Sequence, residues 1–178
     1  MDQKIRKFHE LKKVYRQNRV DSRHESSAEH TWSCLVLVDY FLEKTKLDRL
    51  KVFELLLYHD VVEIITGDTP ILHIRESKHQ DELKAMQIIK EQIPTELKQK
   101  FEQLFLEFEA AKTPETKFAK AIDKLDATVH ELDYKQDWKG WTDEKVRQYN
   151  DHFFADFPEI KKFHDESLEY VEKEGYFK

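Results

Sequence analysis

Glycine and proline are scarce in this chain of 178 residues, with 3 and 4 copies, which excludes a collagen-like or loop-dominated protein and leaves helices with few interruptions. Cys34 is the only cysteine, so no disulfide can form within the chain and a reducing, cytoplasmic setting is expected. No apolar run approaches the ~20 residues needed to cross a bilayer. The N-terminus has neither the apolar segment nor the small-residue cleavage site of a signal peptide, which argues against export. A basic surplus is also missing: the formal charge of −6 argues against a general nucleic-acid binder, which needs cations to displace counterions.

What is abundant is charge, at 37% of residues, beside a hydrophobic fraction of 39%. Many Leu, Glu and Lys residues with few breakers indicate an all-α protein with charged outer faces. The length suits one domain spanning residues 1–178. Charge is uneven, because Met1 to Arg23 holds eight Lys/Arg against three acidic residues, a local excess able to attract an anion.

Apolar residues at Ile5, Phe8, Leu11 and Val14 suggest a short amphipathic helix over Gln3 to Tyr15. Arg16 to Ser26 loses that period and reads as a loop carrying Arg16, Arg19, Arg23 and Glu25. Ser26 or Ser27 can cap the next helix, with Glu29 in its first turn. That helix, Ala28 to about Lys44, is apolar nearly all round and is expected in the middle of a bundle, as is the next, Leu47 to about Ile64. Gly67 and Pro70 mark a stop. Further helices are expected at Asp81 to Gln92, Thr95 to Ala111, from Pro114 through Leu132, and in the C-terminal part at about 141–173.

The stretch Leu55 to Pro70, LLLYHDVVEIITGDTP, places His59, Asp60, Glu63 and Asp68 among apolar residues. Two ionisable groups in a leucine-rich turn are costly to bury unpaired. Together with His30 and Asp123 they have the makeup of a metal site, since two imidazoles and two carboxylates suit Mn, Fe, Co, Ni or Zn better than Ca or Mg. Taken singly, His30 or Asp123 is more often a hydrogen-bonded core residue, and Glu63 a solvated carboxylate.

Three blocks in order, R-x-E-x-x-x-E-H from Arg23 to His30, HDxxE-x-x-x-GD from His59 to Asp68, and TPETKFAKAIDKLD from Thr113 to Asp126, resemble the HD superfamily of metal-dependent phosphohydrolases. The closer similarity, over about residues 5–135, is to the small single-domain branch containing bacterial 5'-deoxynucleotidases. The resemblance implies a single-domain HD-type helical bundle that binds one divalent transition-metal ion through His30, His59, Asp60 and Asp123. It also implies that Glu63 and Asp68 handle protons beside the ion and that an arginine before the first His holds phosphate. Arg16 matches that arginine with a one-residue gap, and Arg19 and Arg23 are its neighbours. The family often has Trp after this arginine, where this chain has Gln17.

The activity implied is hydrolysis of a (deoxy)nucleoside 5'-monophosphate to nucleoside and phosphate, by a homodimer. Two rivals stand beside it. One is another HD phosphohydrolase activity, on a nucleotide pyrophosphate or phosphodiester. Against it, Ile64 stands where a second carboxylate would follow Glu63, and Gly175-Tyr176 is followed by Phe177 rather than Pro. The other is a non-catalytic, metal-containing helical binding protein.

Overall fold

In the computed structural model, which describes residues 3–73 and 75–177, the order of elements is a 3-10 helix, a β-hairpin and a series of α-helices. The 3-10 helix spans Gln3–Lys13, and the hairpin pairs β1 (Tyr15–Val20) with β2 (Arg23–Ser26) antiparallel. The helices are α1 (Ser27–Leu42), α2 (Arg49–Tyr58), α3 (Glu63–Thr66), α4 (Lys78–Gln92), α5 (Thr95–Ala110), α6 (Pro114–Glu131), α7 (Asp143–Phe154) and α8 (Pro158–Lys173). The all-α expectation holds, and the hairpin is the one sheet among the described residues. Ile74, in the expected polar connection from Ile71 to Lys78, lies outside the described residues.

Local chemistry sets the helix ends. Ser26 accepts the Glu29 N–H while the Glu29 carboxylate reaches back to the Ser26 N–H, a reciprocal capping box at the start of α1. Thr113 caps α6, with Pro114 in its first turn. The core is built where α2, α5 and α6 meet, around Leu55, Leu56, Phe101, Phe105, Ile122 and Leu125. Trp138, Val146, Leu168 and Val171 form a smaller cluster beneath α7 and α8.

The structure corrects three expectations. First, Arg16 to Ser26 is a hairpin, turned at Asp21 with φ +52°. Its inward positions, Arg16, Asn18 and Val20, are mostly polar because they face polar groups of the bundle, so no hydrophobic alternation marks them. Second, α2 stops at Tyr58, and a turn carries His59 to Val62 before α3 begins. Third, α1 is not wrapped by protein on all sides, since Trp32 is 67% and Tyr40 61% exposed, with Val36 and Leu50 exposed beside them.

His164 on α8 is buried, and neither ring nitrogen has a hydrogen-bond partner. Burial pushes its imidazole down to about 4, despite Asp151 nearby. A histidine held neutral in the fold stabilises fully above its unfolded pKa near 6.5, and that contribution is lost as pH falls from there through about 4. His164→Leu is therefore expected to flatten the pH dependence of stability across this window by roughly 2–3 kcal/mol. Urea unfolding at pH 7 and pH 4 reads this, and equal acid sensitivity in both proteins would refute it.

Candidate active site and metal centre

In the turn after α2, two consecutive residues address one point. Within a continuous helix, neighbours diverge by about 100°. Here His59 Nε2 and Asp60 Oδ1 lie 3.1 Å apart, His59 Nε2 is 3.8 Å from Asp123 Oδ1 on α6, and His30 Nε2 on α1 is 3.1 Å from that same oxygen. Asp60 Oδ2 is 3.8 Å from His30 Nε2. His30, His59 and Asp123 offer ligand atoms all within 4.8 Å of one another, with Asp60 alongside. The four predicted ligands thus converge from α1, the α2–α3 turn and α6.

Whether these groups suit a cation is decided by where their protons sit. His59 Nδ1–H donates to the Leu56 carbonyl at 2.7 Å, and His30 Nδ1–H donates to Asp126 Oδ2 at 2.7 Å. Burial and Arg16 work against charge on His30, but Cys34, Asp123 and Asp126 outweigh them and raise its pKa; a bound cation would take the place of that proton and meet the Nε2 lone pairs of both rings beside the carboxylate oxygens. The buried His59 Nε2 and Asp60 Oδ2 have no hydrogen-bond partner. The residues fit a divalent ion. Burial penalises the Asp123 carboxylate, but Lys124 and the imidazoles outweigh it and hold its pKa well below the usual range. Burial also raises Asp60, yet adjacent His59 outweighs it and holds Asp60 at about 2.

Asp126 is the residue that sequence reasoning passed over. Its signal was its place one turn beyond Asp123, within the third motif block. Because it fixes the His30 tautomer, Asp126→Ala is expected to weaken metal binding about 10- to 100-fold. Chelator competition measures this, and an unchanged affinity would contradict it.

Glu63 is buried rather than solvated, with Oε2 accepting a 2.7 Å hydrogen bond from Ser27 Oγ. Burial raises its pKa well above the carboxylate range, and Asp60 and Asp68 add to the rise. Asp68 follows Gly67, whose φ +72° and ψ 163° suit glycine and which ends α3 through its N–H bond to the Glu63 carbonyl. Asp68 is raised by burial, with Arg16 opposing.

The three arginines separate. Arg16 enters the cleft, its Nη1 3.6 Å from Asp68 and 3.9 Å from Asp60, and its Nε 3.2 Å from buried Glu25. Burial works against its charge, but Asp60 and Asp68 outweigh this and raise its pKa. An irregular register between Tyr15 and Arg19 accompanies this inward aim, as bulges beside active sites do. Arg19 lies at the cleft rim, paired with Asp137 at 3.3 Å. Arg23 is not brought to the site: it is half-exposed on the surface and is bound by both Glu29 oxygens, a pairing six residues apart that takes its charge elsewhere. The hairpin is tied to α6 by Asn18 donating to Glu131 at 2.8 Å and His130 donating to the Arg19 carbonyl at 2.6 Å.

Arg16, Arg19, His59, Asp60, Glu63, Asp68 and Asp123 line a cleft of about 740 Å³, within the range of small-molecule sites. Its far wall is aromatic, from Trp141, Tyr149 and Phe153.

Residues 8–161 match the family model described as HD domain. The 5'-deoxynucleotidase hdd1 of Schizosaccharomyces pombe is 34% identical over 125 residues, which is 67% of this chain and 63% of that protein. The 5'-deoxynucleotidase HDDC2 of Homo sapiens is 30% identical over 115 residues, 64% of this chain and 56% of that protein. The matched region thus spans about 60% of the length of these curated relatives. Among solved structures, a predicted metal-dependent phosphohydrolase from Magnetospirillum magnetotacticum superposes with a TM-score of 0.85 at 26% identity, covering 97% of this chain and 94% of the other. The HD domain-containing protein YGK1 shares the fold at a TM-score of 0.62 and 22% identity, over 85% of this chain and 78% of that one. With its helices, its His-Asp cluster and its sequence in agreement, the chain belongs to the HD domain family.

Proposed function

We propose that the protein is a metal-dependent phosphomonoesterase that hydrolyses (deoxy)nucleoside 5'-monophosphates to nucleoside and phosphate. The observation that carries this reading is the site itself: an imidazole-carboxylate cluster fit for one divalent ion, with Arg16 and the carboxyl groups of Glu63 and Asp68 at its edge. The similarity to two 5'-deoxynucleotidases supports the choice of substrate.

His30, His59, Asp60 and Asp123 would hold the ion, which we take to be Mn, Co, Ni, Fe or Zn given the N2O2 donor set. When bound, such an ion supplies Lewis acidity and makes water nucleophilic near neutral pH. Arg16 binds phosphate oxygens and stabilises charge as it develops on the phosphoryl group. Arg19 at the rim steers the anion inward. Glu63, raised by burial and with Oε2 already taken by Ser27, carries its proton on Oε1 and gives it to the departing 5'-oxygen. Asp68, beside Arg16, accepts the proton of the attacking water.

No helix among the described residues is long and apolar enough to cross a membrane. We place the protein in the cytoplasm, in keeping with its single buried thiol, and as a homodimer joined through the exposed face of Trp32, Val36, Tyr40 and Leu50.

The test is a panel of ribo- and deoxynucleoside 5'-monophosphates, a nucleoside 3'-monophosphate, a nucleoside tetraphosphate and a cyclic dinucleotide, each with added Mn or Co. Release of phosphate from the 5'-monophosphates is expected. Metal-loaded protein that cleaves only the pyrophosphate or the phosphodiester would overturn the proposal.

A further inference from the structure

Besides Arg16 and Arg19, three lysines line the cleft, and of these Lys78 is paired with Glu82 at 3.3 Å while Lys124 lies against the proposed metal ligands. Lys124 follows Asp123 on α6, and its Nζ lies 2.9 Å from Asp123 Oδ2. The other oxygen of that carboxylate, Oδ1, is the one facing His30 and His59. Lys124 therefore stands on the outer side of the proposed ligand cluster, and it lines the same cleft as Arg16, Glu63 and Asp68. Its side chain is 34% exposed.

Electrostatics gives that position a purpose. Asp60, Glu63, Asp68 and Asp123 bring four carboxyl groups to one end of the cleft, where Arg16 is the cation contributed by the hairpin. With Glu63 protonated, a divalent ion and Arg16 would only balance the three remaining carboxylates, so a phosphate monoester dianion entering there is held better by a further cation. The neighbouring Lys120 is engaged elsewhere, with Nζ 4.2 Å from the centre of the Phe108 ring and 3.4 Å from Glu109. Lys124 has Asp123 as its partner, and that carboxylate gives up much of its negative charge once a metal ion shares it. The Phe153 ring, 5.8 Å from Nζ, borders the side chain on α7.

We propose that Lys124 is a second phosphate-binding cation of this site, acting beside Arg16 and turning from Asp123 to a nonbridging phosphate oxygen when substrate binds. The inference rests on the phosphomonoesterase reading and adds a residue to it. Lysine serves here as a compact charge on a flexible stem, able to change partners without disturbing the backbone of α6.

The experiment compares unaltered protein with Lys124→Gln and Lys124→Arg, each loaded with Mn and checked for metal content, by calorimetric titration with inorganic phosphate. Lys124→Gln is expected to keep its metal and bind phosphate about tenfold or more weakly, with KM for a nucleoside 5'-monophosphate raised in parallel. Lys124→Arg is expected to recover most of the affinity. Equal phosphate affinity in Lys124→Gln, with nucleotide hydrolysis intact in the unaltered protein, overturns the role of Lys124 alone. Loss of metal from Lys124→Gln also overturns it, because Lys124 would then act by holding Asp123. If the unaltered, metal-loaded protein binds no phosphate and releases none from nucleotides, the phosphomonoesterase reading fails and this inference with it.

Discussion

Asp123→Ala is expected to empty the metal centre and lower kcat/KM by on the order of 10³-fold or more. Asp123 Oδ1 is the oxygen that both imidazoles approach, at 3.1 Å from His30 and 3.8 Å from His59. Without it, two imidazoles and Asp60 remain, and the proposed chelate loses the ligand that joins α6 to the other two segments. Folding is expected to persist, because Asp123 is a partly exposed carboxylate at the cleft rather than a packing residue. Elemental analysis and phosphate release check both halves, and a variant with full metal content and normal turnover would contradict the assignment.

Glu63→Gln separates chemistry from metal binding. The amide matches the carboxyl in shape and its oxygen can still accept from Ser27, so the α3 turn and the metal content should be unchanged. What disappears is the proton that the carboxylic acid carries, and kcat is expected to fall by roughly 10²- to 10⁴-fold while KM moves little. Steady-state kinetics on a 5'-monophosphate decides it. An unchanged kcat would remove Glu63 from the mechanism, and an absence of turnover in the unaltered protein as well would favour the metal-containing binding protein.

That His30, His59, Asp60 and Asp123 would cluster was legible because each is a chemically costly residue in an apolar setting, and because the three motif blocks occur in a fixed order along the chain. The helices were legible for the ordinary reason, the apolar spacing of residues such as Phe118, Ile122 and Leu125. The hairpin was hidden because its inward residues bind polar partners: Arg16 meets Glu25 and the site carboxylates, and Asn18 meets Glu131. Binary patterning detects apolar faces and is blind to a strand docked by charge and hydrogen bonds.

The break after Tyr58 was hidden differently. Neither glycine nor proline marks it, and the apolar run passes straight through His59 and Asp60 into Val61 and Val62. It shows only in three dimensions, where His59 bonds the Leu56 carbonyl and the turn aims both ligands at one centre. Arg23 misled because sequence proximity to Arg16 and His30 said nothing of Glu29, which takes it to the surface. Asp126 and Lys124 were present in the third block, but their roles depend on facing His30 and the cleft across the bundle.

In the proposed reaction, one divalent ion held by His30, His59, Asp60 and Asp123 would enable hydrolysis of nucleoside 5'-monophosphates. Stepwise addition of Mn to chelator-stripped protein, with phosphate release from deoxyadenosine 5'-monophosphate followed at each step, tests it directly. Negligible release from stripped protein is expected, followed by a rise that breaks at one equivalent of metal per chain. Full activity in stripped protein, or none at any metal ratio, would contradict it.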